Sequence, residues 1–135
     1  MIISVSLLYV CYTDVSRRKI YNKTVVFLLV LSMANVVLFT GSNDYLMPFF
    51  ILIVGAFLSK NKIIGAGDIK LMFALMIGLS QSEQISFLIY IGLTGFIQSL
   101  LILIYSRIVH ARITTVPYGV AIASAYWLIV AEAYI

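Results

Sequence analysis

Charge is what this sequence lacks first. Of 135 residues only 10% are Asp, Glu, Lys or Arg, while 63% are hydrophobic and the mean hydropathy is +1.11. A soluble fold carries about 25% charged residues, because its surface needs them. A soluble globular domain is therefore excluded, and most of the surface is expected to face lipid. Cysteine is nearly absent. Cys11 alone cannot form an internal disulfide, and with a single histidine, His110, it cannot build a zinc site. No metal or other cofactor is expected. The two prolines, Pro48 and Pro117, each stand near the start of an apolar run, where a missing N–H does no harm. The opening Met1-Ile2-Ile3-Ser4-Val5 has neither a positive n-region nor a small-residue cleavage motif, so it reads as the start of a span and not as a removable signal. Finally, the basic residues are dispersed between apolar runs, so the net charge of +4 gives no reason to expect nucleic acid.

What is present is apolar sequence with punctuation. Residues 1–135 amount to one domain, read as an all-α polytopic membrane protein. Six spans are expected, at about 1–15, 24–40, 46–59, 69–81, 84–105 and 115–133. Several fall short of the ~20 residues that cross hydrocarbon perpendicularly, which local thinning or interfacial flanks can accommodate. Within the spans, Asn35 and Gln98 are expected to hydrogen-bond between helices, and Gly92, Gly95, Ala121 and Ala125 to permit close helix approach.

The loops suggest an orientation. Arg17, Arg18, Lys19 and Lys23 lie between the first two spans, Lys60, Lys62 and Lys70 around the turn between the third and fourth, and Arg107 and Arg112 between the last two. All nine basic residues therefore fall on one side, opposite Asp44 and Glu83. Short loops rich in Lys and Arg stay cytoplasmic, which puts both termini outside.

Two acids then share one membrane face. Asp14 ends the first span, and Asp68 opens the fourth from the glycine turn Gly65-Ala66-Gly67-Asp68-Ile69-Lys70. Acids at a bilayer are costly and mark function by default. Each also has a plain reading: Asp68 as a helix N-cap, Asp14 as the partner of Arg17 or Arg18 one turn on. Gly65 and Gly67 permit positive φ and leave room for another backbone, such as a peptide substrate. Lys70 reads as an anchor on the positive side or as an aid to the site. A close carboxylate pair shares one proton, since like charges resist double ionisation. By helix dipoles, Asp68 at a helix N-terminus leans toward the base role and Asp14 at a C-terminus toward the acid role. Cys11, one turn before Asp14, reads as a packing residue.

These segments resemble a known family. Asp14-Val15-Ser16-Arg17-Arg18-Lys19-Ile20-Tyr21-Asn22 is similar to the first signature of type IV prepilin peptidases, an Asp followed six residues later by Ile-Pro-Asn. Tyr21 stands where the proline is usual. Gly65-Ala66-Gly67-Asp68-Ile69-Lys70 resembles their second signature, GxGD with Lys two residues on. Thr115-Val116-Pro117-Tyr118-Gly119 resembles a Pro-Tyr segment that opens their last span. Larger members add a methyltransferase region with a four-cysteine zinc loop, and this chain looks like the compact class associated with tight-adherence (Flp-type) pili. The resemblance implies an aspartic endopeptidase of the inner (cytoplasmic) membrane that cleaves the leaders of prepilins and pseudopilins at the cytoplasmic face. It implies Asp14 and Asp68 as catalytic residues, with Asn22, Gly65, Gly67 and Lys70 in support and no metal. Two other readings stay open: another GxGD intramembrane protease, or a small proton-coupled carrier. A carrier would place its acid nearer mid-bilayer.

Overall fold

The computed structural model describes residues 2–40, 45–109 and 116–132; Asp44, His110, Arg112 and Thr115 lie outside them. Six helices and no strand occur among the described residues: α1 Ile2–Arg17, α2 Asn22–Asn35, α3 Leu46–Lys60, α4 Ala66–Met76, α5 Gln81–Val109 and α6 Tyr118–Glu132. Asn35 ends α2, which passes directly into a π-helical stretch, Val36–Thr40.

The helix ends follow from local chemistry. α3 finishes in a left-handed residue, Lys62 at φ 59, whose N–H bonds to the Ser59 carbonyl while Ile63 reaches back to Leu58. That double bond satisfies the last orphan carbonyls and turns the chain sharply into the Gly65 segment. After α1 a single bond serves, from the N–H of left-handed Arg18, at φ 51, to the Asp14 carbonyl. α5 begins three residues earlier than expected because Ser80 and Glu83 form a capping box. The Glu83 carboxylate accepts the Ser80 N–H at 2.7 Å and its hydroxyl at 2.6 Å. At the other end of the preceding turn, the buried Gln84 amide donates to the carbonyls of Met76, which also accepts the Leu79 N–H, and of Leu79.

α4 is the hub. It packs on α2, α3 and α6, and α6 in turn packs on α5 and α1. Leu71, Ala74, Leu75 and Met76 are wholly buried, and they meet Leu7, Leu28, Phe87 and Ile122 in one core. A helix enclosed by its neighbours does not itself have to match a bilayer, which fits its 11 residues. α6 turns Gly119, Ala121, Ala123 and Ala125 inward, small residues that allow close backbone approach. Gly95 serves the same contact from α5, facing Tyr118 and Ala121, whereas Gly92 faces open space and has no packing role. The aromatic pairs Phe49–Phe73 and Phe87–Tyr126 meet edge-on across α3–α4 and α5–α6.

The outward surface is apolar: Phe50, Ile53 and Phe57 on α3, and Ile89, Leu93, Phe96 and Leu101 on α5, are exposed. Among the described residues α5, with 29 residues, is the one helix long and apolar enough to cross a membrane; α2 with its extension, α3 and α6 are apolar but shorter.

Candidate functional site

The site forms where the α1–α2 connection meets the start of α4. Ile20 packs directly over Gly67, so closely that a Cβ at position 67 would lie 3.1 Å from that of Ile20. One turn on, the Lys70 ammonium donates to the Asn22 side-chain carbonyl at 3.3 Å. The two polar signatures of the sequence are thus in physical contact, 48 residues apart along the chain for the Lys70–Asn22 bond. Lys70 is therefore more than a surface anchor, since it ties α4 to α2. Tyr21 adopts φ −78 and ψ 131, the φ a proline would impose. The departure at this position leaves the backbone as proline would have it, and the tyrosine hydroxyl receives a bond from Arg17.

Asp68 is not the N-cap that its plain reading would make it. Gly65 takes that position, and Asp68 stands in the first turn of α4 with its N–H bonded to the Gly65 carbonyl. Neither Gly65 nor Gly67 adopts positive φ. Gly65 is extended at φ −67, and a Cβ there would sit 2.7 Å from the Asp68 carboxylate. The glycines provide room, not unusual dihedrals. Asp68 is half-buried on the wall of a cavity of about 550 Å³ lined also by Ile63, Ile64, Gly65, Val116 and Tyr118.

Asp14 is buried, and its carboxylate does not pair with Arg17 or Arg18. Its Oδ2 accepts the Gly119 N–H of α6 at 2.7 Å. Gly119 adjoins Tyr118, which shares the cavity wall with Asp68, whereas Asp14 itself does not line that cavity. The two carboxylates are near enough for Asp68 to sense the charge of Asp14. α1 and α4 need no extensive contact of their own for this, because α2 and α6 each pack on both. One sequence argument is overturned here. Asp14 ends α1 but also meets the N-terminus of α6, so opposing helix dipoles act on it and no longer distinguish the two acids.

Gly119 and Gln98 escaped the sequence reading as site residues. Gln98 makes the interhelical bond expected of it, but to the Pro117 carbonyl at 3.2 Å, two residues from the Asp14 contact. The available signal was Pro117-Tyr118-Gly119, a helix start with a small residue in its first turn.

Among comparisons with known proteins, the family model described as the type IV leader peptidase family matches residues 1–106. That span contains Asp14, Asn22, Gly65, Gly67, Asp68 and Lys70, and it stops short of α6. No curated protein and no solved structure matches the chain.

Proposed function

The chain belongs to the type IV leader peptidase family, and on that footing we propose that it is a membrane-embedded aspartic endopeptidase that removes the leaders of type IV prepilins and pseudopilins. The observation that carries this reading is the meeting of its two acidic segments: Ile20 on Gly67 and Lys70 on Asn22 draw Asp14 and Asp68 to one end of the bundle, with a cavity beside Asp68.

In this reading all six helices lie in the inner membrane, with both termini outside and the dyad at the cytoplasmic face. Two properties support that placement. The outward faces of α3 and α5 expose large apolar side chains, as lipid contact requires. The basic residues Arg17, Arg18, Lys19, Lys60, Lys62 and Lys70 collect at the acidic end, as cytoplasmic flanks do. α5 at 29 residues is about 43 Å long, exceeding the ~30 Å hydrocarbon core, so its Arg107 end projects beyond the bilayer.

Peptide hydrolysis then needs only the two carboxylates and water. The ionised Asp removes a proton from a water that attacks the scissile carbonyl. The protonated Asp transfers its proton toward the tetrahedral intermediate and the departing amine, and the C–N bond breaks. Both groups end with one proton between them, ready for the next cycle. The cavity offers Ile63, Ile64 and Val116 as apolar wall beside Asp68, suited to a substrate whose scissile bond borders a hydrophobic segment. A mid-bilayer carrier is disfavoured because both acids stand at helix ends.

The test is cleavage of a purified prepilin by the chain in liposomes across acid to neutral pH. One proton shared by two acids predicts a bell-shaped pH–rate profile, because activity needs one group ionised and the other protonated. A monotonic profile across that range contradicts the dyad.

A further inference from the structure

Asp14 is held by backbone from a helix outside the matched region. α6 opens with Pro117 ahead of Tyr118; the first N–H groups of a helix lack a carbonyl one full turn back, and here the Val120 N–H turns to the Pro117 carbonyl at 3.2 Å. Another, at Gly119, reaches the Asp14 Oδ2 at 2.7 Å, with the Val120 N–H beside it. The fit is tight. A Cβ on residue 119 would stand 2.8 Å from that oxygen, 3.1 Å from the carboxyl carbon and 3.2 Å from the Asp14 Cβ. Contacts below 3.0 Å require a shift, and the Asp14 carboxyl is the group that would have to leave. No side chain larger than hydrogen is compatible with the observed rotamer.

The turn that makes this contact is itself anchored. Gln98 on α5 donates its amide to the Pro117 carbonyl at 3.2 Å, and one turn earlier the Thr94 hydroxyl lies 3.1 Å from the Ala121 carbonyl. These two α5 side chains, four residues apart, face the backbone of the α6 start. Gln98 therefore acts on Asp14 at one remove.

We infer that the first turn of α6 is a backbone cradle for Asp14, in which the Gly119 N–H fixes Oδ2, leaves Oδ1 to carry the proton or hold the water, and depends on Gln98 for its position. Gly119 and Gln98 are positioning residues. This rests on the peptidase reading for its catalytic consequence, but the contact itself does not. An unheld carboxylate would rotate, and a misplacement of about 1 Å at a reacting group costs about 10²-fold in rate. The substrate, bound along the Asp68 cavity, would be little affected.

Two measurements on the full-length chain separate these parts. First, the Gly119 amide proton resonance of the detergent-solubilised native chain is expected well downfield. It should move upfield in Asp14→Ala and hold its place in Asp68→Ala; a Gly119 resonance indifferent to Asp14 overturns the cradle. Second, prepilin cleavage by Gly119→Ala is expected to lose about 10²-fold in kcat with KM within about twofold of native. Gln98→Leu should lose less, and Gln98→Asn should recover little, because its amide is one methylene short. Gly92→Ala, whose added methyl meets open space, serves as the folded control and keeps native rates. Native kcat in Gly119→Ala overturns the positioning role. An unfolded Gly119→Ala shifts the decision to Gln98→Leu, where an unchanged kcat overturns it equally. If the native chain leaves prepilin intact while the Asp14-dependent amide shift is present, the peptidase reading fails and the catalytic role falls with it, but the contact stands.

Discussion

Asp14→Ala and Asp68→Ala are each expected to stop leader removal, lowering the cleavage rate by about 10²–10⁴-fold while the chain stays inserted in the membrane. The two losses should be alike although the residues are differently placed, Asp14 buried against α6 and Asp68 half-buried on a cavity wall. A dyad that shares one proton works as a unit, so the double variant should be no slower than the worse single one. Asp14→Ala also leaves the buried Gly119 N–H without its acceptor, which costs about 1–3 kcal/mol. Asp14→Asn avoids that loss, because an amide oxygen can still accept, yet it cannot take a proton from water. It should fold better than Asp14→Ala and remain as inactive. The ratio of precursor to mature pilin on co-expression, followed by rates with purified protein, checks each point. Maturation persisting in both alanine variants contradicts the proteolytic reading.

A larger structural effect is expected at Gly55, on the neighbouring helix α3. A Cβ on Gly55 of α3 would meet the Ile69 side chain at 2.5, 2.9 and 3.1 Å through its two Cγ atoms and Cδ1. Ile69 is almost fully buried and directly follows Asp68. Gly55→Ala must therefore push α3 and α4 apart, and overpacking of this kind costs about 1–3 kcal/mol. Because α4 carries Asp68 in its first turn, the displacement reaches the carboxylate, and a loss of about 10²-fold in cleavage is expected. Ile69→Ala removes all three opposing atoms. The double variant Gly55→Ala/Ile69→Ala should thus recover most of the activity and thermal stability that Gly55→Ala loses. Additive losses in that pair would show that the contact does not set the position of α4.

Much of this arrangement was legible in the sequence because long apolar runs with sparse punctuation have few ways to fold. The six apolar runs became six helices, and the placement of Arg17 to Lys23 beside Lys60 to Lys70 already put Asp14 and Asp68 at one end. The boundaries that moved did so for side-chain reasons. α4 was expected at 69–81 but ends at Met76, where the chain tightens into a turn closed by Gly78 on Leu75 and Leu79 on Met76 and tied by the Gln84 amide. α5 begins early on the Ser80–Glu83 box, a four-residue pattern that could have been read. The partner of Asp14 was not legible in the same way. It is a peptide N–H, which no residue letter encodes, and only the small size of Gly119 hints that something must approach there. The choice of acid and base by helix dipole failed for a related reason: the argument knew the helix that carries Asp14 but not the one that meets it.

The convergence of residues 14 and 68 can be measured without any enzymatic assay. In a Cys11→Ser background, Asp14→Cys and Asp68→Cys would be introduced together and treated in intact membranes with a short bifunctional thiol reagent, and singly with an impermeant one. Both cysteines are expected to react from the cytoplasmic side and to become linked to each other. Labelling from opposite sides, or no link even with prepilin bound, would contradict a shared hydrolytic site.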